Sequence, residues 1–208
     1  MTLTFSLSGI TEAQKRIREK GKNLFSVPSS YCIIDIETTG LSPDFDSIIE
    51  VSAVKYVDGK EVGNFTSLIK PEETYDDGTY IDDFIEKLTG ITNEMLSTAP
   101  DPMPVFKQFK DFIGKNILIG HNVNFDINFL YDNFEHYLSE KLDNDFVDTM
   151  RFSRFLHPEE AHHRLEDLAE RYKIDYSGAH RSLNDCYITH ACYEHLQEEM
   201  IQSSGSLD

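Results

Sequence analysis

The dipeptide Asp58-Gly59 stands between two strand patterns, Ile48 to Tyr56 and Glu61 to Ile69, and it is a strong hairpin signal. It commits the two segments to lie antiparallel. A third strand pattern, Tyr31 to Glu37, comes before them, after the break at Pro28-Ser29-Ser30. Beyond the hairpin the period changes. Helical segments are expected around Asp82 to Leu88 and Val105 to Ile113, then a short apolar strand, Asn116 to Gly120, leading into a helix from Asn124 to Leu138. Another strand is expected near Phe146 to Asp148, followed by helices around Leu165 to Tyr172 and Arg181 to Met200. Antiparallel strands followed by alternating helix and strand predict an α/β fold, a mixed sheet with helices against its faces.

Residues 31–200 therefore read as one domain, a size that supports a substantial core. Residues 1–30 read as a basic helix and a linker. In that helix, predicted over residues 8–25, Thr11 and Gln14 form a capping box, and Ile10, Ala13, Ile17 and Leu24 recur at helical spacing. Its outer face carries Lys15, Arg16, Arg18, Lys20 and Lys22, five of the 19 basic residues. Such a run is ordinarily a solvated face, with guidance of a strand or docking of a partner as the alternative. Residues 201–208, rich in Ser and Gly, read as a frayed tail.

Composition narrows the functional classes. No apolar run approaches the roughly 20 residues that cross a bilayer, so no membrane span is expected. Met1 to Ser8 is polar and lacks the apolar stretch of a secretory signal, and the three cysteines are an odd set without paired spacing. A cytoplasmic protein is expected. The net charge of −18 argues against coating nucleic acid, because non-specific affinity for phosphate comes from Lys and Arg. An acidic centre can still grip a chain end if bound cations neutralise it.

The chemistry starts at Asp35-Ile36-Glu37. Alternation along a strand projects Asp35 and Glu37 to one face, roughly 7 Å apart at Cα, close enough to share a cation. The spacing alone is weak, since 37 acidic residues produce roughly six to seven such pairs by chance. The setting is stronger. The pair interrupts the core-like run Cys32, Ile33, Ile34, Ile36 and leads into Thr38-Thr39-Gly40, and a carboxylate beside a hydrophobic sheet needs a cation or a partner. No basic residue lies between Lys22 and Lys55, so a structural ion pair would need one from elsewhere in the fold.

Gly120-His121-Asn122-Val123-Asn124-Phe125-Asp126 forms a second constellation, at a strand-to-helix junction. With Asn124 as N-cap, Asp126 falls in the first turn, where an acid is commonplace for dipole reasons. His121 and Asn122 at the end of an apolar strand lie where open α/β sheets place ligand sites. A third constellation, His180-Arg181-Ser182-Leu183-Asn184-Asp185, brings an imidazole and a carboxylate to one cleft from a helix beginning near His180. A general base suits His180 better than a metal ligand, because hard divalent cations prefer oxygen.

These blocks, in this order, resemble the DEDDh family of 3′-to-5′ exonucleases, a likeness that extends to the proofreading subunits of bacterial replicative polymerases. It spans about residues 31–197, with Val147-Asp148-Thr149 in support. The resemblance implies an RNase H-like sheet. It implies Asp35, Glu37, Asp126 and Asp185 as carboxylates for two divalent cations, Mg²⁺ or Mn²⁺, and His180 as the base. Asp35, Glu37 and Asp185 would hold one cation, and Asp35 a second with Asp126 nearby. Thr38 and Leu41 would contact the terminal nucleotide, Leu41 as a wedge. His121 and Asn122 would shape the pocket, and Asp148 would support it. Tyrosine-type relatives carry the base where this chain has Arg181, which favours the histidine subclass.

The implied partner is a single-stranded or frayed nucleic-acid 3′ end, with a polymerase subunit as a further partner in trans. Two alternatives remain: an RNA or oligoribonucleotide substrate, and a non-catalytic polymerase tether, against which the intact carboxylate set argues. Cys186, His190, Cys192 and His195 invite a zinc reading, but they fall on different arcs of one helix and lack a paired motif. His157, His162 and His163 read as a solvated loop, and Phe125, Phe129, Tyr131, Phe134 and Tyr137 as core packing.

Overall fold

The computed structural model describes residues 17–205. Six strands form one sheet. They are β1 (Asn23–Leu24), β2 (Ser30–Thr38), β3 (Ile48–Val57), β4 (Lys60–Leu68), β5 (Ile117–Gly120) and β6 (Phe146–Asp148), in the spatial order β1-β6-β5-β2-β3-β4. The strands β2, β3 and β4 pair antiparallel, whereas β5, β6 and β1 join in parallel on the other side of β2. This is the mixed α/β sheet that the hairpin and the later alternation predict.

Seven helices complete the described chain: α1 (Asp83–Thr89), α2 (Asn93–Ser97), α3 (Pro102–Ile113), α4 (Asn124–Leu138), α5 (Thr149–Leu156), α6 (Leu165–Tyr172) and α7 (Ser182–Gly205). Cys32, Ile34 and Ile36 of β2 pack with residues of α3 and α4 on one face of the sheet. Tyr31 and Ile33 pack with α5, α6 and α7 on the other. A strand covered on both faces reads as a nearly continuous apolar run, which is why Tyr31 to Ile36 looks core-like in sequence. By the same alternation Asp35 and Glu37 lie on the α7 face. None of the described helices is long and apolar enough to cross a membrane.

Three expectations change. The helix predicted over residues 8–25 lies outside the described residues up to 16, and its described part is not helical. Residues 17–22 have no regular structure, and Asn23–Leu24 extend the sheet beside β6. The parallel edge of β6 offers backbone partners, such as the Phe146 amide that donates to the Lys22 carbonyl at 2.9 Å, and they override local helix propensity. Gly21 is required there, because a Cβ would lie 2.0 Å from the Asn144 carbonyl oxygen.

Two of the three described residues of the basic run, Arg18 and Lys20, are not on a solvated face, whereas Lys22 is exposed. Arg18 pairs with Asp132 of α4 at 2.5 and 2.8 Å, and Lys20 donates to Asn124 and Asn128 of the same helix. Lys15 and Arg16 lie outside the described residues. At the other end α7 continues through Gly205, so the expected tail is helical to that point, while residues 206–208 lie outside the description.

Candidate active site

The parallel pairing of β2, β5 and β6 brings their C-terminal ends to one edge of the sheet, where Gly120 lies opposite Asp148. That edge is where α/β sheets gather ligand-binding side chains. From β2 come Asp35 and Glu37, just before an irregularity in register at Glu37/Thr38. Helix α4 starts directly after β5 and carries Asp126 in its first turn, capped at Val123 rather than at Asn124 as expected. The first turn of α7 carries Asp185.

One oxygen from each of Asp35, Glu37 and Asp185 lies within 4.8 Å of the others, the one such grouping of acids, histidines and cysteines among the described residues. Asp126 is buried and falls outside that triplet, yet its charge helps raise Asp35. Burial is the first cause in every case. It lifts Asp35 well above the usual carboxylate range, with Asp126, Asp185, Glu37 and Glu50 adding repulsion. Burial, then Asp185, push Glu37 to about 8. Asp126 also reaches about 8 through burial, against the opposing effect of its own amide and that of Ile36. Asp185 reaches about 6, burial being partly offset by the His180 amide.

Such a set fits a hard divalent cation. All donors are oxygens, their repulsion is the kind a cation relieves, and Asp185 Oδ1 is buried with no hydrogen-bond partner among the described residues. Its other oxygen, Oδ2, accepts the His180 amide at 3.0 Å. His180 is exposed, sits in the left-handed region at φ 66°, and precedes α7 instead of starting it. Its ring lies edge-on to Tyr176, 6.4 Å between centroids. Tyr176 was not anticipated; burial and the Asp185 charge push its phenol up to about 12.

The expected nucleotide-binding residues divide. Leu41 is 86% exposed, on a loop held by Asp46, which accepts the Ser42 amide at 2.8 Å and the Thr39 hydroxyl at 3.3 Å. Thr38 donates its hydroxyl to the Gly40 carbonyl at 2.6 Å. His121 turns inward. Its Nδ1 lies 2.9 Å from the Thr149 hydroxyl and its Nε2 2.8 Å from the His163 carbonyl, and burial holds it at about 4, hence neutral. Asn122 is exposed at φ 56°, its amide donating to Asp148, which also caps α5 through Met150.

Glu50 is the main residue that sequence reasoning missed. It sits opposite Glu37 in the β2–β3 register, is 2% exposed, and accepts Arg181 and the amide and hydroxyl of Ser182. A signal existed: one acid inside the apolar run Ile48-Ile49-Glu50-Val51 demands a partner as much as Asp35 does. The distant arginine arrives, but at Glu50. The zinc reading fails by dispersion, since His190 stacks on Tyr56 and His195 on Tyr172 while Cys186 faces the Ile33 and Ser52 carbonyls. Nor is the histidine loop simply solvated, because His163 also meets the Ser153 hydroxyl and His157 meets Glu199, each at 2.8 Å.

The sequence pattern of an exonuclease family typified by RNase T matches residues 32–193. PolC-type DNA polymerase III of Latilactobacillus sakei is 41% identical over 175 residues, 84% of this chain and 12% of that protein. The Bacillus subtilis counterpart is 38% identical over 161 residues, 77% of this chain and 11% of that protein. The chain thus spans about an eighth of the length of the relatives it matches. In fold it resembles Escherichia coli exonuclease I in complex with a dA16 oligonucleotide, with a TM-score of 0.70 and 20% identity over 84% of this chain and 42% of that one. Exonuclease X in complex with 5′-overhanging duplex DNA superposes with a TM-score of 0.64 and 25% identity, covering 81% and 91%.

Proposed function

This chain belongs to the exonuclease family, and from that premise we propose that it removes nucleoside 5′-monophosphates from DNA 3′ ends in a cation-dependent reaction, in the cytoplasm and in a proofreading context. The observation that carries this reading is the convergence of Asp35, Glu37 and Asp185, with Asp185 Oδ1 buried and unpartnered. These three would hold one Mg²⁺ or Mn²⁺ ion, and Asp35 with Asp126 a second. Bound cations would supply Lewis-acid stabilisation of charge at the scissile phosphate.

The chain's own groups do the rest. His180, exposed beside Asp185, takes the proton of the attacking water. Leu41 presses against the terminal base, and Thr38 and Asn122 read the terminal sugar and phosphate. His121 shapes the pocket from beneath, as a fixed neutral group and not as a direct contact. The DNA preference is supported by the polymerase relatives, which also make a polymerase the natural partner. Matched DNA and RNA oligonucleotides, single-stranded and blunt duplex, test the reading. Mononucleotides should be released from the 3′ end of single-stranded DNA with Mg²⁺ or Mn²⁺, more slowly from blunt duplex, and not after chelation. Release unaffected by chelator would refute the cation dependence, and faster release from RNA would reassign the substrate.

A further inference from the structure

We infer that Glu50 and Arg181 form a positioning latch that sets His180 and Asp185 at the site while keeping Glu50 out of the cation-binding set. This inference rests on the function proposed above. Glu50 lies on the α7 face of β3, across from Glu37, so on position alone it is a fifth carboxylate available to a cation. Its oxygens are already taken. Oε1 accepts Arg181 Nη2 at 2.5 Å and Nε at 3.2 Å, and Oε2 accepts Nε at 3.2 Å together with the Ser182 amide and hydroxyl, both at 2.9 Å. The Ser182 hydroxyl also lies 2.7 Å from that of Ser52, the next α7-facing residue of β3.

The first amide of α7 is therefore capped by a carboxylate from the sheet, and the residue before it is clamped to the same carboxylate through a two-pronged guanidinium. Those two residues stand directly between His180 and Asp185. His180 leaves the helix start in a left-handed conformation and returns its amide to Asp185. Pinning Arg181 and Ser182 to β3 fixes how far Asp185 reaches toward Asp35 and Glu37, and where His180 stands relative to them. Neither Glu50 nor Arg181 needs to touch the substrate.

The test uses the full chain with Arg181→Gln, Glu50→Gln, the double variant and Arg181→Lys. Because each single change leaves a buried or half-buried charge without its partner, the double variant, which removes both charges, guards against simple misfolding. Hydrogen exchange at the amides of residues 180–186, measured on chelated protein, should rise at least about tenfold in the Gln variants while α4 stays protected. With Mn²⁺ and single-stranded DNA, kcat should fall about 10- to 100-fold, the scale of a small misplacement of reacting groups. KM should stay within about threefold, the double variant should be no worse than the poorer single one, and Arg181→Lys should recover part of kcat. A rise in KM at unchanged kcat would make Arg181 a substrate contact and overturn the latch, as would unchanged exchange in all variants. Should the wild-type chain release no nucleotide, the exchange data still decide the latch, and only the functional reading falls.

Discussion

Two strand-or-loop-to-helix junctions in this protein are built from the same parts and come out differently. At the start of α4 there is a histidine, a left-handed residue (Asn122) and an acid in the first turn (Asp126); at the start of α7 the histidine itself is left-handed (His180) and the acid is Asp185. The first histidine is sewn into the fold by Thr149 and the His163 carbonyl. The second is exposed, and only its backbone is tied down. Junctions of like sequence thus come out differently: one histidine is fixed inside the fold, and the other stands exposed beside the acids, the division of labour that the proposed function assigns to them.

The sharpest way to break this comparison is at the acids. Asp185→Asn should abolish chelator-sensitive nucleotide release and eliminate tight Mn²⁺ binding by calorimetry, since it removes a charge from the converging triplet. Asp126→Asn should spare one cation and lose the other. If both variants bound two cations with native affinity, the acids would not differ in the way proposed.

Next come the histidines. His180→Ala should slow release by about 10²- to 10⁴-fold with cation binding intact. His121→Ala should behave in the opposite manner, costing about 1–3 kcal/mol in denaturant unfolding because it strands the His163 carbonyl and leaves the Thr149 hydroxyl with the Gly120 carbonyl alone. Its effect on rate should be the smaller of the two. Equal rate losses at both positions would erase the division of labour.

The smallest expected effect is on stability against pH in chelated protein. The raised carboxylates, Glu37 and Asp126 at about 8 and Asp185 at about 6, bind protons more tightly folded than unfolded. Their contribution is complete below about pH 4 and is lost as pH climbs through 6 to 8. His121, lowered to about 4, binds protons more weakly folded, so its contribution is lost as pH falls from about 6.5 to 4. Thermal melts should therefore decline from pH 6 to 8, and added Mg²⁺ should reverse the decline. Glu37→Gln should flatten that limb, and His121→Gln should flatten the acid one. A stability that rose from pH 6 to 8 without cation would contradict the buried-carboxylate description.

The local order of the chain was readable because it rests on periodicity and turn chemistry. Asp58-Gly59 can hardly do other than make a hairpin, and the bounds of α4 and α6 agree with the apolar spacing of Asn124–Leu138 and Leu165–Tyr172. The convergence of three acids left a partial trace in the sequence: Asp35 and Glu37 interrupt an apolar strand where a charge needs compensation, whereas Asp185 was singled out by its place after His180 on the last helix. Tertiary structure alone decided the remainder. Residues 17–25 carry a helical pattern yet part of them joins the edge of β6, since unpaired backbone groups there outweigh a weak propensity. Arg181 meets Glu50 across 131 positions, and His121 finds its partners 28 and 42 residues away. No local pattern encodes such pairings, because they exist only once the sheet has brought its C-terminal edge and the start of α7 together.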